Sequence, residues 1–159
     1  MIKKSQIFLI LLALIACDSN RIFEKNSSIN QNVWSLSQAP TFQYHNTDSI
    51  TNANLFLNVR HTSQYPFSNL WTFVYTTSPK GHTTIDTVEC LLAQKDGKWL
   101  GSGLGDIWDL QTKIGTIDLK EIGLYEFKVE QAMRHGSLAK IEHLPGVMEV
   151  GLRIEHQNK

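Results

Sequence analysis

Two cysteines in 159 residues are too few to staple a fold together. One of them, Cys17, sits at the end of an apolar leader and is spoken for there. Cys90 is then without a mate, so no intramolecular disulfide is available and a packed core must hold the domain. Charge of one sign is also missing: 15 basic residues balance 15 acidic ones, with no basic run, which argues against nucleic acid as a partner. The six histidines, His45, His61, His82, His135, His143 and His156, stand at no metal-ligand spacing to one another or to a cysteine. No G-x-S-x-G elbow is present, and no nucleophile, base and acid can be assembled from the order of residues. A carboxylate pair brought together only by folding leaves no such trace. On these grounds a non-enzymatic chain without metal or cofactor is expected.

Long hydrophobic runs are absent too. The longest, Ile7 to Ala16, has ten residues, about half of the roughly 20 a spanning helix needs. Lys3 and Lys4 precede it and Leu14-Ile15-Ala16-Cys17 follows. The order is that of a signal peptide ending in a bacterial lipobox: aliphatic, tolerated, small, cysteine. Residues 1–16 are thus expected to be removed and Cys17 to carry a diacylglycerol on its thiol, with further acylation (palmitate) for stable membrane attachment. Removal takes Lys3 and Lys4 and leaves 13 basic and 15 acidic residues, a formal charge of −2. Residues 17–39, rich in Asn, Ser and Gln, read as the lipidated cysteine and a flexible tether, first docking at Val33-Trp34. Residues 40–157 are enough for one core and too few for two domains.

What fills that domain is alternation with a period of two. ANLFLNVR sets Leu55, Leu57 and Val59 on one face, NLWTFVYTT sets Trp71, Phe73 and Tyr75, and DTVECLLA sets Val88, Cys90 and Leu92. GLYEFKVEQAM gives Tyr125, Phe127, Val129 and Met133, and GVMEVGLRIEH gives Met148, Val150, Leu152 and Ile154. Such runs predict strands with one buried and one wet face. TFQYH, KWLG, DIWDL and GTIDL are shorter candidates, and GSLAKIEHL (136–144) predicts a helical turn. Turn signals fall at Ser78-Pro79-Lys80-Gly81, Lys95-Asp96-Gly97, Ile122-Gly123 and Pro145-Gly146. The fold class is all-β: a single antiparallel β-sandwich of Greek-key or jelly-roll type.

GKWLGSGLGDIWD (97–109) crowds glycines, carboxylates and tryptophans together. A phosphate loop needs a helix after it and, in the Walker form, a lysine; both are missing. Asp96-Gly97 fits a type I′ hairpin turn, and Gly101, Gly103 and Gly105 fit a bulge or bend at a sandwich corner. Asp106 and Asp109 are read as turn-capping residues rather than calcium ligands, because a calcium loop draws on more oxygens than these two side chains supply. Cys90, on the Val88 and Leu92 face, reads as a buried, inert thiol.

Three blocks, RHTSQYPFSNLW (60–71), DTVECLLAQKDGKWLGSGLGDIWD (86–109) and GLYEFKVEQAMR (123–134), closing on VGLRIE (150–155), resemble GldH-type gliding motility lipoproteins of Bacteroidetes. The lipobox and the length agree. The resemblance implies a lipoprotein required for gliding, supporting assembly or stability of the envelope machinery that also serves type IX secretion. It implies no catalytic residue. Its partners would be the bilayer, through acylated Cys17, and other gliding and secretion proteins. With no acidic run after Cys17, the periplasmic face of the outer membrane is the expected location. The candidate interaction surface comprises Arg60, Tyr65, Trp99, Asp106, Trp108 and Arg134. The alternative is a carbohydrate-binding or glycan-processing envelope lipoprotein using Trp71, Trp99 and Trp108 as a platform.

Overall fold

A computed structural model describes residues 18–137 and 139–157. The leader 1–16 and the attachment site Cys17 lie outside the described residues. Eleven strands form among the described residues, all paired antiparallel: β1 (Arg21–Ser28), β2 (Val33–Ser35), β3 (Thr41–Asn46), β4 (Ile50–Thr62), β5 (Asn69–Thr77), β6 (Thr83–Leu91), β7 (Ser102–Leu104), β8 (Ile107–Leu119), β9 (Gly123–Gln131), β10 (His143–Pro145) and β11 (Val147–Glu155). A five-stranded sheet runs β1-β11-β4-β8-β7, and a four-stranded sheet runs β3-β9-β5-β6.

The expected all-β sandwich is what forms. Both sheets contribute to one core: Leu55, Leu57 and Val59 from β4 and Leu152 and Ile154 from β11 share it with Phe127 and Val129 from β9 and Val74 from β5. Alternation puts these side chains on the inner faces because successive residues of a strand point to opposite sides. A third element, the two-stranded ladder β10-β2, joins the two sheets. Backbone bonds tie its flanks to each of them, Ile29 N–H to Met148 C=O at 2.8 Å and Ile141 N–H to Met133 C=O at 2.9 Å. It buries Trp34 and Leu144 fully.

Four local expectations are corrected. The stretch read as a tether is folded from Arg21 onward: β1 pairs with β11 in continuous register from Phe23↔Ile154 to Ser28↔Glu149. An edge strand buries only part of one face, so RIFEKNSS needs few apolar residues, and its Asn and Ser content hid it. On β5 the faces are reversed. Leu70, Thr72 and Val74 are buried, while Trp71 is 37% exposed and Phe73 and Tyr75 are half-buried on the outside.

The third correction is at Asp96-Gly97. Gly97 has φ +86 but Asp96 is not left-handed, and Gly97 N–H donates to Gln94 C=O at 3.0 Å. This is a three-residue loop whose tight turn ends in a left-handed glycine, not type I′. Fourth, residues 136–144 hold no helical turn among the described residues; they pass through turns and bends into β10. KWLG contributes only an isolated bridge, Ala93↔Trp99, and DIWDL and GTIDL merge into the single strand β8.

Candidate interaction surface

The glycine-rich stretch builds one end of the sandwich. Leu104 pairs with Ile107, so Gly105-Asp106 is a two-residue loop, and Gly105 takes the positive φ of 62° that its first position demands. Gly101 (φ +85) lies where a Cβ would fall 2.1 Å from the Asp109 carbonyl oxygen, and Gly103 lies beneath the Trp108 ring. These glycines permit close approach of the backbone. Asp106 closes the corner, its carbonyl accepting from Ser63 N–H at 2.8 Å and its carboxylate from the Ser63 hydroxyl at 3.2 Å. Asp109 instead takes Arg60, whose Nε and Nη2 donate at 2.7 and 3.2 Å. Among the described residues no group of three or more His, Cys, Asp and Glu side chains gathers as a metal site.

Behind this corner runs a chain of rings. Trp99 meets His61 with centroids 4.6 Å apart, His61 meets Tyr65 at 5.8 Å, Tyr65 meets Phe67 at 5.8 Å and Phe67 meets His135 at 5.6 Å. Tyr65 is buried and donates its hydroxyl to Asn69 C=O at 2.9 Å, and burial pushes its phenol well above the usual range. His61 is fully buried. Its Nδ1 lies 3.0 Å from Thr62 C=O, which can only accept, so that nitrogen carries the proton and Nε2 is left without a partner. Burial lowers its pKa, opposed by the Thr62 bond and by Asp109, so the ring is neutral at pH 7.

The candidate residues therefore divide. Arg60, Asp106 and Arg134 present polar groups at the surface, whereas Tyr65 and Trp99 belong to the ring chain beneath it, and Trp108 packs over Gly103. Tyr65 is thus corrected from a contact residue to a buried support, because its ring fills the space between His61 and Phe67. Phe67 and His135, outside the candidate set, extend the surface beside Trp71 and Arg134. Phe67, Trp71, Phe73 and Met133, with Arg134 and His135, line a hollow of about 420 Å³ on the outer face of the four-stranded sheet. Trp71 N–H is held by Met133 Sδ at 3.2 Å. No sequence signal separates this aromatic row from a buried one, since both alternate with period two.

A second hollow, about 430 Å³, lies on the outer face of the five-stranded sheet. Its floor is a ladder of amides: Gln111 Nε2 donates to Asn58 Oδ1 at 3.0 Å, and Asn58 Nδ2 to Glu24 Oε1 at 2.9 Å. Its polar groups largely satisfy one another.

A model of the family described as GldH lipoprotein matches residues 21–154, the span from the first residue of β1 to the penultimate residue of β11. The chain belongs to the GldH lipoprotein family. Gliding motility lipoprotein GldH of Flavobacterium johnsoniae is 35% identical over 159 residues, covering 99% of both chains. A GldH homolog of Christiangramia forsetii is 31% identical over 154 residues, covering 94% of each. Among solved structures, the infectious bursal disease virus VP2 subviral particle overlays 86% of this chain and 31% of its own at 13% identity and a TM-score of 0.31, a level that carries no weight. The family match begins at Arg21, in keeping with a folded unit that starts at β1 and not at residue 40. No helix among the described residues is long and apolar enough to cross a membrane.

Proposed function

We propose that this GldH-family chain is a gliding motility lipoprotein, anchored through acylated Cys17 to the outer membrane on its periplasmic face. It works without catalysis, as a scaffold or stability factor for the gliding and type IX secretion machinery. The names of the two relatives support the motility role. The observation that carries the scaffold reading is the outward aromatic row, Trp71 and Phe73, beside Phe67, Met133 and Arg134. Aromatic anchors ringed by an arginine are the composition of protein-binding hot spots. Glycan binding on a tryptophan platform is disfavoured by the placement of the three rings. Trp99 packs against His61, Trp108 over Gly103, and Trp71 lies on the outer face of the other sheet.

The test is genetic and biochemical. Deleting the gene is expected to abolish spreading on agar and to lower the levels of partner envelope proteins. A Trp71→Ala/Arg134→Glu variant, made to wild-type level, is expected to fail to restore spreading and to lose its cross-linked partners in membrane pull-downs. Normal gliding in the deletion strain would overturn the reading. Replacing Cys17 with Ala is expected to abolish fatty-acid labelling.

A further inference from the structure

The tether expected between Cys17 and the domain leaves little room for itself. Asp18, the residue after Cys17, accepts a hydrogen bond from Arg153 on β11, and consecutive Cα atoms are about 3.8 Å apart. Arg21 N–H donates to Asp18 C=O at 3.4 Å, and Asn20 C=O accepts from His156 N–H at 2.8 Å. The chain is therefore bound to the sheet one residue after the anchor point. With Cys17 acylated, as proposed above, the acyl chains leave from beside the end of the sheet.

That end can be identified from the register. Arg21 pairs with Glu155, Glu155 with Asn54, and Asn54 with Thr116, so the start of β4 and the close of β8 lie there. β8 closes at Leu119, and β9 opens at Gly123 beside Asn46, the last residue of β3. Asn46 Nδ2 donates to the carbonyls of Leu119 and Glu121 at 3.0 and 2.9 Å and fixes this turn. At its tip Ile122 is 70% exposed, with Leu124 exposed beside it. Among the described residues, the two lysines of this turn are already paired: Lys80 lies 3.3 Å from Glu121, and Lys120 lies 2.8 Å from Asp118. Anionic headgroups would gain little from them. What this end offers a bilayer is an isoleucine at a turn tip, next to a covalent anchor.

We infer that the sandwich end bearing Asp18 and Ile122 is seated directly on the membrane surface, with Ile122 in the interfacial layer. β4 and β8 have 13 residues each, so the opposite end stands about 40 Å away at 3.3 Å per residue. That opposite end carries Leu104 (90% exposed), the glycine corner and the Phe67–Arg134 hollow. The anchor thus does more than retain the domain: it aims the partner-binding end away from the bilayer.

The test uses the lipidated protein purified from membranes and reconstituted in vesicles of phosphatidylethanolamine and phosphatidylglycerol doped with headgroup-nitroxide lipid. Cys90 is buried, so a thiol-reactive fluorophore can be placed singly through Ile122→Cys or Leu104→Cys. Expected is strong quenching at position 122 and background quenching at 104. Inserting a Gly-Ser spacer of ten residues between Cys17 and Asp18 is expected to reduce quenching at 122 towards the value at 104. Equal quenching at both positions, in protein that floats with the vesicles, overturns the seating and leaves the anchor intact. Protein that neither floats nor takes up labelled fatty acid overturns the anchor and the seating with it.

Discussion

Asp18 and Arg153, 135 positions apart in the chain, are joined by a charge-assisted hydrogen bond that closes the N-terminus onto the last strand. Arg153 also donates to Glu24 at 2.7 Å and to Glu155 at 2.5 Å, with only 11% of its side chain exposed. One guanidinium therefore serves three carboxylates. Its planar fork of five donors suits that task, and a lysine would not replace it. Burial alone would make Arg153 easier to deprotonate, but the three carboxylates outweigh it and its pKa is raised.

Arg153→Ala is expected to strand Glu24 and Glu155 and to destabilise the sandwich by about 2 kcal/mol, lowering Tm by about 5–8 °C at this chain length. The pH profile separates this from a plain loss of packing. Burial tends to raise the Glu24 carboxyl, but bonds from Arg153, Asn58 and Arg21 outweigh it and its pKa falls below 4.5. At Asp18 the Arg153 bond is the largest influence, and its pKa falls below 3.8. Depressed carboxyl pKa values give stability that is complete above the unfolded values and lost as pH drops through the folded ones. Wild-type Tm is thus expected to fall steeply from about pH 4.5 downward, and the variant's to fall less. Parallel acid limbs in both proteins would refute the role of Arg153.

Gly101→Ala is expected to open the β7–β8 hairpin. A left-handed alanine costs about 1–2 kcal/mol on its own, and its methyl would meet the Asp109 carbonyl oxygen. Gly105 has φ +62 with nothing within 4 Å, so Gly105→Ala incurs the conformational cost without the clash. Hydrogen exchange of the amides of Ser102–Leu110 checks this. Protection is expected to collapse in Gly101→Ala and to weaken only modestly in Gly105→Ala.

How far these features were legible differs residue by residue. The faces of β4 and β9 could be read because Leu55, Leu57, Val59 and Tyr125, Phe127, Val129 alternate with polar residues at every position but Phe56, and burial follows directly. On β5 both faces are apolar enough to pass, and only the opposing sheet decides that Leu70, Thr72 and Val74 go inward. β1 was invisible because an edge strand needs no apolar face of its own, and the Asp18–Arg153 bond is non-local and leaves no pattern at all. The blocks containing Arg60, Trp99, Asp106, Trp108 and Arg134 do converge on one end. Met133 is buried with Tyr125, Phe127 and Val129 as its alternation implies, whereas Phe67 and His135 escaped because nothing in the sequence shows which rings the sheet leaves uncovered.

Cys90 is expected to resist thiol reagents in the folded protein. Burial pushes its thiol up to about 11, against a smaller lowering by Thr112, so almost no thiolate exists at pH 8. Ellman's reagent is expected to give no reaction in native lipidated protein and one thiol after denaturation. Rapid native reaction would place Cys90 outside the core.

His61 gives the last pH handle. Its folded pKa lies below 6.5, chiefly through burial, so between the folded and unfolded values the unfolded chain binds more protons. Stability is therefore complete above about pH 6.5 and declines as pH falls through the depressed folded value. The cause is structural: protonation would place a charge in the ring chain between Trp99 and Tyr65, where Nε2 has no acceptor. His61→Phe keeps the aromatic contacts, removes the donor to Thr62 and removes the titration. Its Tm is expected to be flat between pH 7 and 5, where the wild type declines, and the two curves approach each other at the acid end. Because the stability that Arg153 and its carboxylates supply is lost only below about pH 4.5, the two pH dependences occupy separate windows, and a double variant is expected to lose both independently. A wild-type Tm that does not change from pH 7 to 5 would show that His61 titrates alike in folded and unfolded chains, and the buried, unpartnered Nε2 would then have to be solvated in solution.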